Sequence, residues 1–187
     1  MSVNPIGVRL AQASDLATLR ALIPASVRTL SQGYYTPVQI ESAIRHVFGL
    51  DTQLVADGTY FVAFAGDEIA GCGGWSRRNT LFGGDQMKAG PDPLLDPELE
   101  PARIRAFFVR PDFARRGVGS AIMEACVRAA RADGFRALEL AATLPGEPLY
   151  RAFGFEARER LDTLLPDGVT IPFIRMSRAL EPAGGPR

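Results

Sequence analysis

The chain has 187 residues, 47% of them hydrophobic, and its 21 basic and 21 acidic side chains cancel to a formal net charge of zero. That is room for one well-packed domain, with no global field to draw in a polyanion, which argues against DNA or RNA partners. A lone histidine, His46, leaves histidine-rich metal sites and Ser-His-Asp chemistry poorly supported, no ligand cluster has zinc spacing, and no apolar run nears the ~20 residues that span a bilayer.

The two cysteines, Cys72 and Cys126, sit in apolar surroundings with no secretory signal ahead of them. Buried reduced thiols in a cytoplasmic setting are the expectation.

In chain order, Val8 to Ala11 reads as a first strand. Ser14-Asp15 then caps a helix whose Leu16, Leu19, Leu22 and Ile23 recur at helical spacing, and Pro24 is expected to bend or interrupt it. Ser31 to Tyr35 form an aromatic loop. Thr36-Pro37 with Gln39 is a helix start, threonine as N-cap and proline at the first helical position, and this helix is expected to run to about Phe48. Residues 60–65 and 69–75 read as a hairpin around Gly66-Asp67. Glycines 71, 73 and 74 inside its second strand suggest close passage of another backbone or a ligand, or a bulge. Asn79 to Pro101, rich in Gly, Pro and Asp, is a long loop.

Residues 103–109, 117–132 and 136–142 form a β-α-β unit, the helix burying Met123, Ala125, Cys126, Ala129 and Ala130. A short helix from about Pro148 to Phe153 stops at Gly154, which suits a left-handed cap. Strands near 156–160 and 169–176 flank the turn Pro166-Asp167-Gly168. The expectation is one domain over residues 1–180 and a disordered tail over 181–187.

The turn from Ala114 to Ser120 carries the most chemistry. A strand that empties into a glycine-rich turn and a helix presents unpaired amides and the positive end of a helix dipole to an anion. Gly117 and Gly119 let a pyrophosphate approach the main chain, with Arg115 and Arg116 beside it. A dinucleotide-binding turn needs a third glycine where Ile122 stands. A triphosphate loop needs a lysine after the glycine, and Lys88 is the chain's only one. A tight strand-to-helix connection with a solvated basic turn remains the plain alternative.

From Arg103 to Phe155 the chain resembles the GNAT superfamily of N-acetyltransferases. The signature Q/R-x-x-G-x-G/A falls on Ala114 to Gly119, and Leu149-Tyr150-Arg151-Ala152-Phe153-Gly154-Phe155 resembles F-Y-x-x-x-G-F. Two departures are visible: Ala114 replaces the usual Gln or Arg, and Thr143 stands where many members carry Asn.

The resemblance implies an α/β fold of the α+β type, a mixed, mostly antiparallel sheet flanked by helices, with acetyl-CoA between the two splayed strands of the β-α-β core. It places the pyrophosphate on Arg115, Arg116, Gly117, Val118, Gly119 and Ser120, sets main-chain groups of Phe107, Phe108 and Val109 along the pantetheine arm, with one of those amides facing the acetyl oxygen, and puts Thr143 beside the cofactor. Tyr150 is then the candidate general acid, or a packed tyrosine. Glu139 is a candidate base or a solvated or salt-bridged residue; His46 or a water chain are the other routes. Tyr34, Tyr35, Trp75, Arg77 and Arg78 are candidates for the acceptor side, the aromatics equally for packing. The implied reaction is acetyl transfer from acetyl-CoA, without a metal, to a primary amine of a small molecule, with homodimerisation possible. The alternative is a non-catalytic acyl-CoA sensor on the same fold.

Overall fold

The computed structural model describes residues 5–181, so all of the expected tail beyond Glu181 lies outside the described residues. Seven strands form one sheet in the order β1-β2-β3-β4-β5-β7-β6. They are β1 (Ile6–Leu10), β2 (Tyr60–Ala65), β3 (Glu68–Ser76), β4 (Ala102–Val109), β5 (Ala137–Ala142), β6 (Glu156–Leu164) and β7 (Thr170–Ala179). Five α-helices accompany them among the described residues: α1 (Leu16–Leu30), α2 (Pro37–His46), α3 (Thr52–Ala56), α4 (Val118–Ala132) and α5 (Glu147–Ala152). Every strand pair is antiparallel except β4 with β5.

Local chemistry explains most of these elements. At α2 the Thr36 hydroxyl accepts from the Gln39 amide at 3.2 Å while the Gln39 side chain accepts from the Thr36 amide at 3.0 Å, a reciprocal capping box. At the end of α5, Phe155 N–H bonds Tyr150 C=O and Gly154 N–H bonds Arg151 C=O, with Gly154 at φ 80°. This is a Schellman stop of the kind only glycine accepts cheaply.

Three expectations change. α1 runs unbroken through Pro24; Leu19, Leu22, Ile23 and Val27 are buried on both sides of it, and that packing outweighs one lost hydrogen bond. The segment after Asp51 forms α3, whose N-cap is the Asp51 carboxylate accepting from Gln53 N–H at 3.1 Å. β6 and β7 extend further than their apolar patterns suggested, to Leu164 and Ala179.

The sheet separates two cores. On one face α4 packs Val118, Ile122, Met123 and Cys126 against Ile104, Phe107, Val109 and Leu138. On the other, α1 and α2 pack Leu19, Ile23, Ile40 and Ala43 with Val62, Ile171 and Phe173. No helix among the described residues is long and apolar enough to cross a membrane.

Candidate active site

β4 and β5 pair in parallel only at Ala102 with Leu138 and Arg103 with Glu139. Beyond those pairs they part, so from Ile104 onward the β5-facing edge of β4 has no ladder partner. Within the same stretch β4 carries a bulge. Cys72 pairs with Phe108 and Gly74 with Arg105, which leaves Gly73 opposite both Ala106 and Phe107. Ala106 takes φ 54°, a left-handed conformation that costs an alanine about 1 kcal/mol. The Tyr60 hydroxyl donates to its carbonyl at 2.9 Å and holds it there.

The bulge resets which side chain faces which core. Ile104, Phe107 and Val109 pack with α4, whereas Ala106 and Phe108 pack with the α1/α2 side. The strand glycines are explained by protein neighbours. A Cβ on Gly73 would sit 2.6 Å from the Phe107 ring, one on Gly71 would meet Val118 at 2.7 Å, and one on Gly74 would meet Thr59 C=O at 2.6 Å.

At the end of β4 the chain turns through Pro111 to Phe113 and enters α4 by Gly117, its N-cap, at φ 84°. Arg115 is also left-handed, at φ 63°. From Arg115 to Ser120 no backbone amide finds a backbone acceptor among the described residues; the first bond of α4 is Ala121 N–H to Gly117 C=O. Arg115, Arg116 and Gly117 are exposed while Val118 is buried, so the turn presents donors and charge outward and anchors itself inward. Arg116 and Arg110 both lie over the Phe113 ring, at 5.5 and 4.6 Å. Unpaired amides with basic side chains beside them are features that attract an anion.

Tyr150 stands on α5 at the mouth of the splay. Its ring packs edge-on against Phe107 and Phe155, with centroids 6.2 and 6.0 Å away. Its hydroxyl forms no hydrogen bond with the described residues. Burial, then proximity to Cys126, pushes the phenol well above its ordinary value, so it keeps its proton. Thr143 caps the turn before α5, its hydroxyl accepting from Gly146 N–H at 3.2 Å.

The remaining candidates divide. Glu139 is buried and held by two guanidiniums, Arg103 and Arg175, the latter at 2.6 Å. Each of its two oxygens accepts from a guanidinium, so the salt-bridged reading of Glu139 is the one its geometry fits. Of the two readings of Trp75, acceptor wall or packing, the structure takes packing: it lies in the α4 core at 2% exposure, edge-on to Phe135. Arg77 bonds Asp133 at 3.1 Å, just past the far end of α4. With a 1.5 Å rise per residue that is about 20 Å from the phosphate turn, so Arg77 is remote from the splay. Arg78 is clasped by Asp57 at 2.7 Å. Tyr34 is exposed, but Tyr35 is buried with both hydrogen-bonding sides of its hydroxyl engaged. His46 sits 3.4 Å from Asp167, in the turn between β6 and β7.

Sequence reading missed the Asp51, Arg105 and Lys88 cluster. Arg105, on β4 directly before the bulge, donates to Asp51 at 2.8 Å and to the Thr80 and Gly83 carbonyls, and Lys88 closes on the other Asp51 oxygen. The 79–101 loop is thereby tied to the strand that carries the splay. The only signal was the isolation of Lys88 as the chain's one lysine. Among the described residues no group of three or more His, Cys, Asp or Glu side chains gathers to hold a metal.

Comparison with known proteins agrees with this fold. The model of the acetyltransferase (GNAT) family matches residues 25–155. A GCN5-related N-acetyltransferase from Rhodopseudomonas palustris superposes with a TM-score of 0.70 at 21% identity, over 96% of this chain and 99% of that one. The PaiA N-acetyltransferase from Thermoplasma acidophilum, solved with coenzyme A, gives 0.62 at 15% identity, over 94% and 99%. The ribosomal-protein-S18-alanine N-acetyltransferase from Escherichia coli gives 0.60 at 16% identity, over 96% and 97%. No curated protein matches the chain in sequence.

Proposed function

The chain belongs to the acetyltransferase (GNAT) family, and from that premise we propose that it moves an acetyl group from acetyl-CoA to the primary amine of a small-molecule acceptor by direct attack. The observation that carries the reading is the run of unbonded amides from Arg115 to Ser120 at the end of a strand whose outer edge is open.

In this reading the amides of residues 115–120, with Arg115 and Arg116, hold the CoA pyrophosphate. Bound there, the cofactor supplies an acetyl group activated as a thioester. The open edge of β4 from Phe107 to Val109 pairs with the pantetheine arm and turns one amide toward the acetyl oxygen, where negative charge builds as the amine adds; a donor in such a position is worth about 3 kcal/mol. The carbon–sulfur bond then breaks, and Tyr150 gives its phenolic proton to the departing sulfur. Its unbonded hydroxyl suits that task. Thr143 acts by capping the turn that presents Tyr150. With Glu139 committed to two arginines, removal of the amine proton falls to water.

The acyl-CoA sensor is the second reading, favoured by that committed carboxylate alone. A screen of amines with acetyl-CoA, following release of free thiol, separates the two. Thiol release that depends on an amine supports the transferase; saturable CoA binding without it leaves the sensor.

A further inference from the structure

β6 is the last strand of the sheet, and among the described residues no strand pairs with its outer edge. It is exposed from Glu156 to Arg160 and again at Asp162 and Leu164. We propose that this edge pairs antiparallel with β6 of a second copy of the chain, about a two-fold axis at Leu161, so that one sheet runs through a homodimer.

The main chain of β6 is oriented for such pairing. Leu165 N–H bonds Val169 C=O across the hairpin at 2.8 Å, and in an antiparallel ladder bonded and unbonded pairs alternate. From the register of β6 with β7, bonded pairs then fall on Leu161 and Thr163, and unbonded pairs on Arg160, Asp162 and Leu164. Pro172 agrees with this phase: it stands opposite Asp162, has no N–H to give, and its carbonyl accepts from Tyr35. The N–H and C=O groups of Arg160, Asp162 and Leu164 are therefore turned away from β7, toward the open edge.

Charges on an edge strand commonly keep other strands away. On β6 their order does the reverse. With the axis at Leu161, Arg160 faces Asp162 of the partner subunit and Asp162 faces Arg160 of the partner subunit, and each facing pair exchanges two main-chain bonds. Within one chain the Arg160 and Asp162 side chains already meet at 2.8 Å, both more than half exposed, so pairing closes a square of alternating charge. Leu161, packed against the α1/α2 core, meets its own copy at the axis.

Neighbouring registers lack this match. An axis at Glu159, Arg160 or Asp162 faces a charge with its own copy, and an axis at Thr163 leaves Asp162 opposite a leucine. A pattern that is complementary to itself when reversed selects a second copy over an unrelated strand. The regular edge is short, ended by the bulge at Arg158 and by the turn after Leu164, so the dimer is a weak one, with a Kd of about 1–100 µM.

The test is sedimentation equilibrium on the full chain, with circular dichroism melts to show that each variant folds. The parent should dimerise in that range. Arg160→Asp and Asp162→Arg each set like charges opposite one another and should each weaken dimerisation at least about tenfold. Both substitutions in one chain exchange the charges and should restore the parent's affinity. The two single variants, mixed, should associate with each other where neither does alone. A parent that stays monomeric at about 200 µM, a single variant that dimerises like the parent, a double variant that stays monomeric, or a mixture that does not associate overturns the proposal.

Discussion

The hydroxyl of Tyr35 joins two distant parts of the chain: it accepts from the Leu144 amide at 2.9 Å and donates to the Pro172 carbonyl at 2.8 Å. The first bond fixes the turn between β5 and α5, and hence Tyr150; the second ties that turn to β7. Burial pushes the Tyr35 phenol up to about 12, so it stays a neutral donor. Tyr35→Phe leaves an amide and a carbonyl without partners, and unfolding by denaturant should show a loss of about 1–3 kcal/mol. Turnover should fall with little change in CoA affinity. A variant equal to the parent in both stability and turnover shows that the turn does not depend on this bridge.

For Tyr150 the expectation is a loss in rate rather than in binding. Tyr150→Phe keeps the contacts with Phe107 and Phe155 and removes only the proton, so thiol release should drop about 100-fold or more while acetyl-CoA affinity by calorimetry stays level. Because burial raises the phenol, turnover in the parent should show no alkaline fall at the ordinary tyrosine value of about 10. An unchanged rate in the variant removes Tyr150 from the chemistry.

What was legible beforehand was what short stretches of chain decide alone. The capping box at Thr36 and Gln39, the Gly154 stop and the Gly117 turn each depend on a few neighbouring residues, and each stands in the structure. The β3 glycines left a bulge open as one reading, but that its extra residue falls on β4 at Ala106 was not legible, since alanine gives no sign of a positive φ and the cause lies across the sheet at Gly73 and Tyr60. Trp75 illustrates the same limit: its place at a strand end left the acceptor side and the core both open, because which way it points depends on the face that α4 covers. The partners of Glu139 come from β4 and β7, and those of Asp51 from β4 and the long loop. Such ion pairs follow from topology, which local pattern does not contain.

Gly73 and Gly119 should separate two functions of the main chain. A Cβ at Gly73 meets the Phe107 ring at 2.6 Å, so Gly73→Ala should displace the bulge and lower turnover more than CoA affinity. At Gly119 the nearest protein atom to a Cβ is Leu149 Cδ2, at 3.0 Å, on a side chain able to move. Gly119→Val should therefore fold while crowding the phosphate turn, and its CoA affinity should fall at least about tenfold. Calorimetry with CoA on both variants checks the division; undiminished affinity in Gly119→Val means the pyrophosphate lies elsewhere.

Acid should weaken the fold through two carboxylates with defined partners. Hydrogen bonds from Arg9 and from Arg78, more than any other cause, hold Asp15 and Asp57 below the ordinary carboxylate range. A carboxylate with a lower pKa folded than unfolded adds stability that is present above the unfolded value, about 3.9, and is lost as pH falls through the folded value. The melting temperature should thus hold level from neutrality to about pH 5 and decline below it. Arg78→Met removes the partner of Asp57, so the variant should start lower at neutral pH and converge on the parent as the medium is acidified. Parallel curves for variant and parent across the acid range show that the Arg78–Asp57 pair contributes nothing to the acid limb.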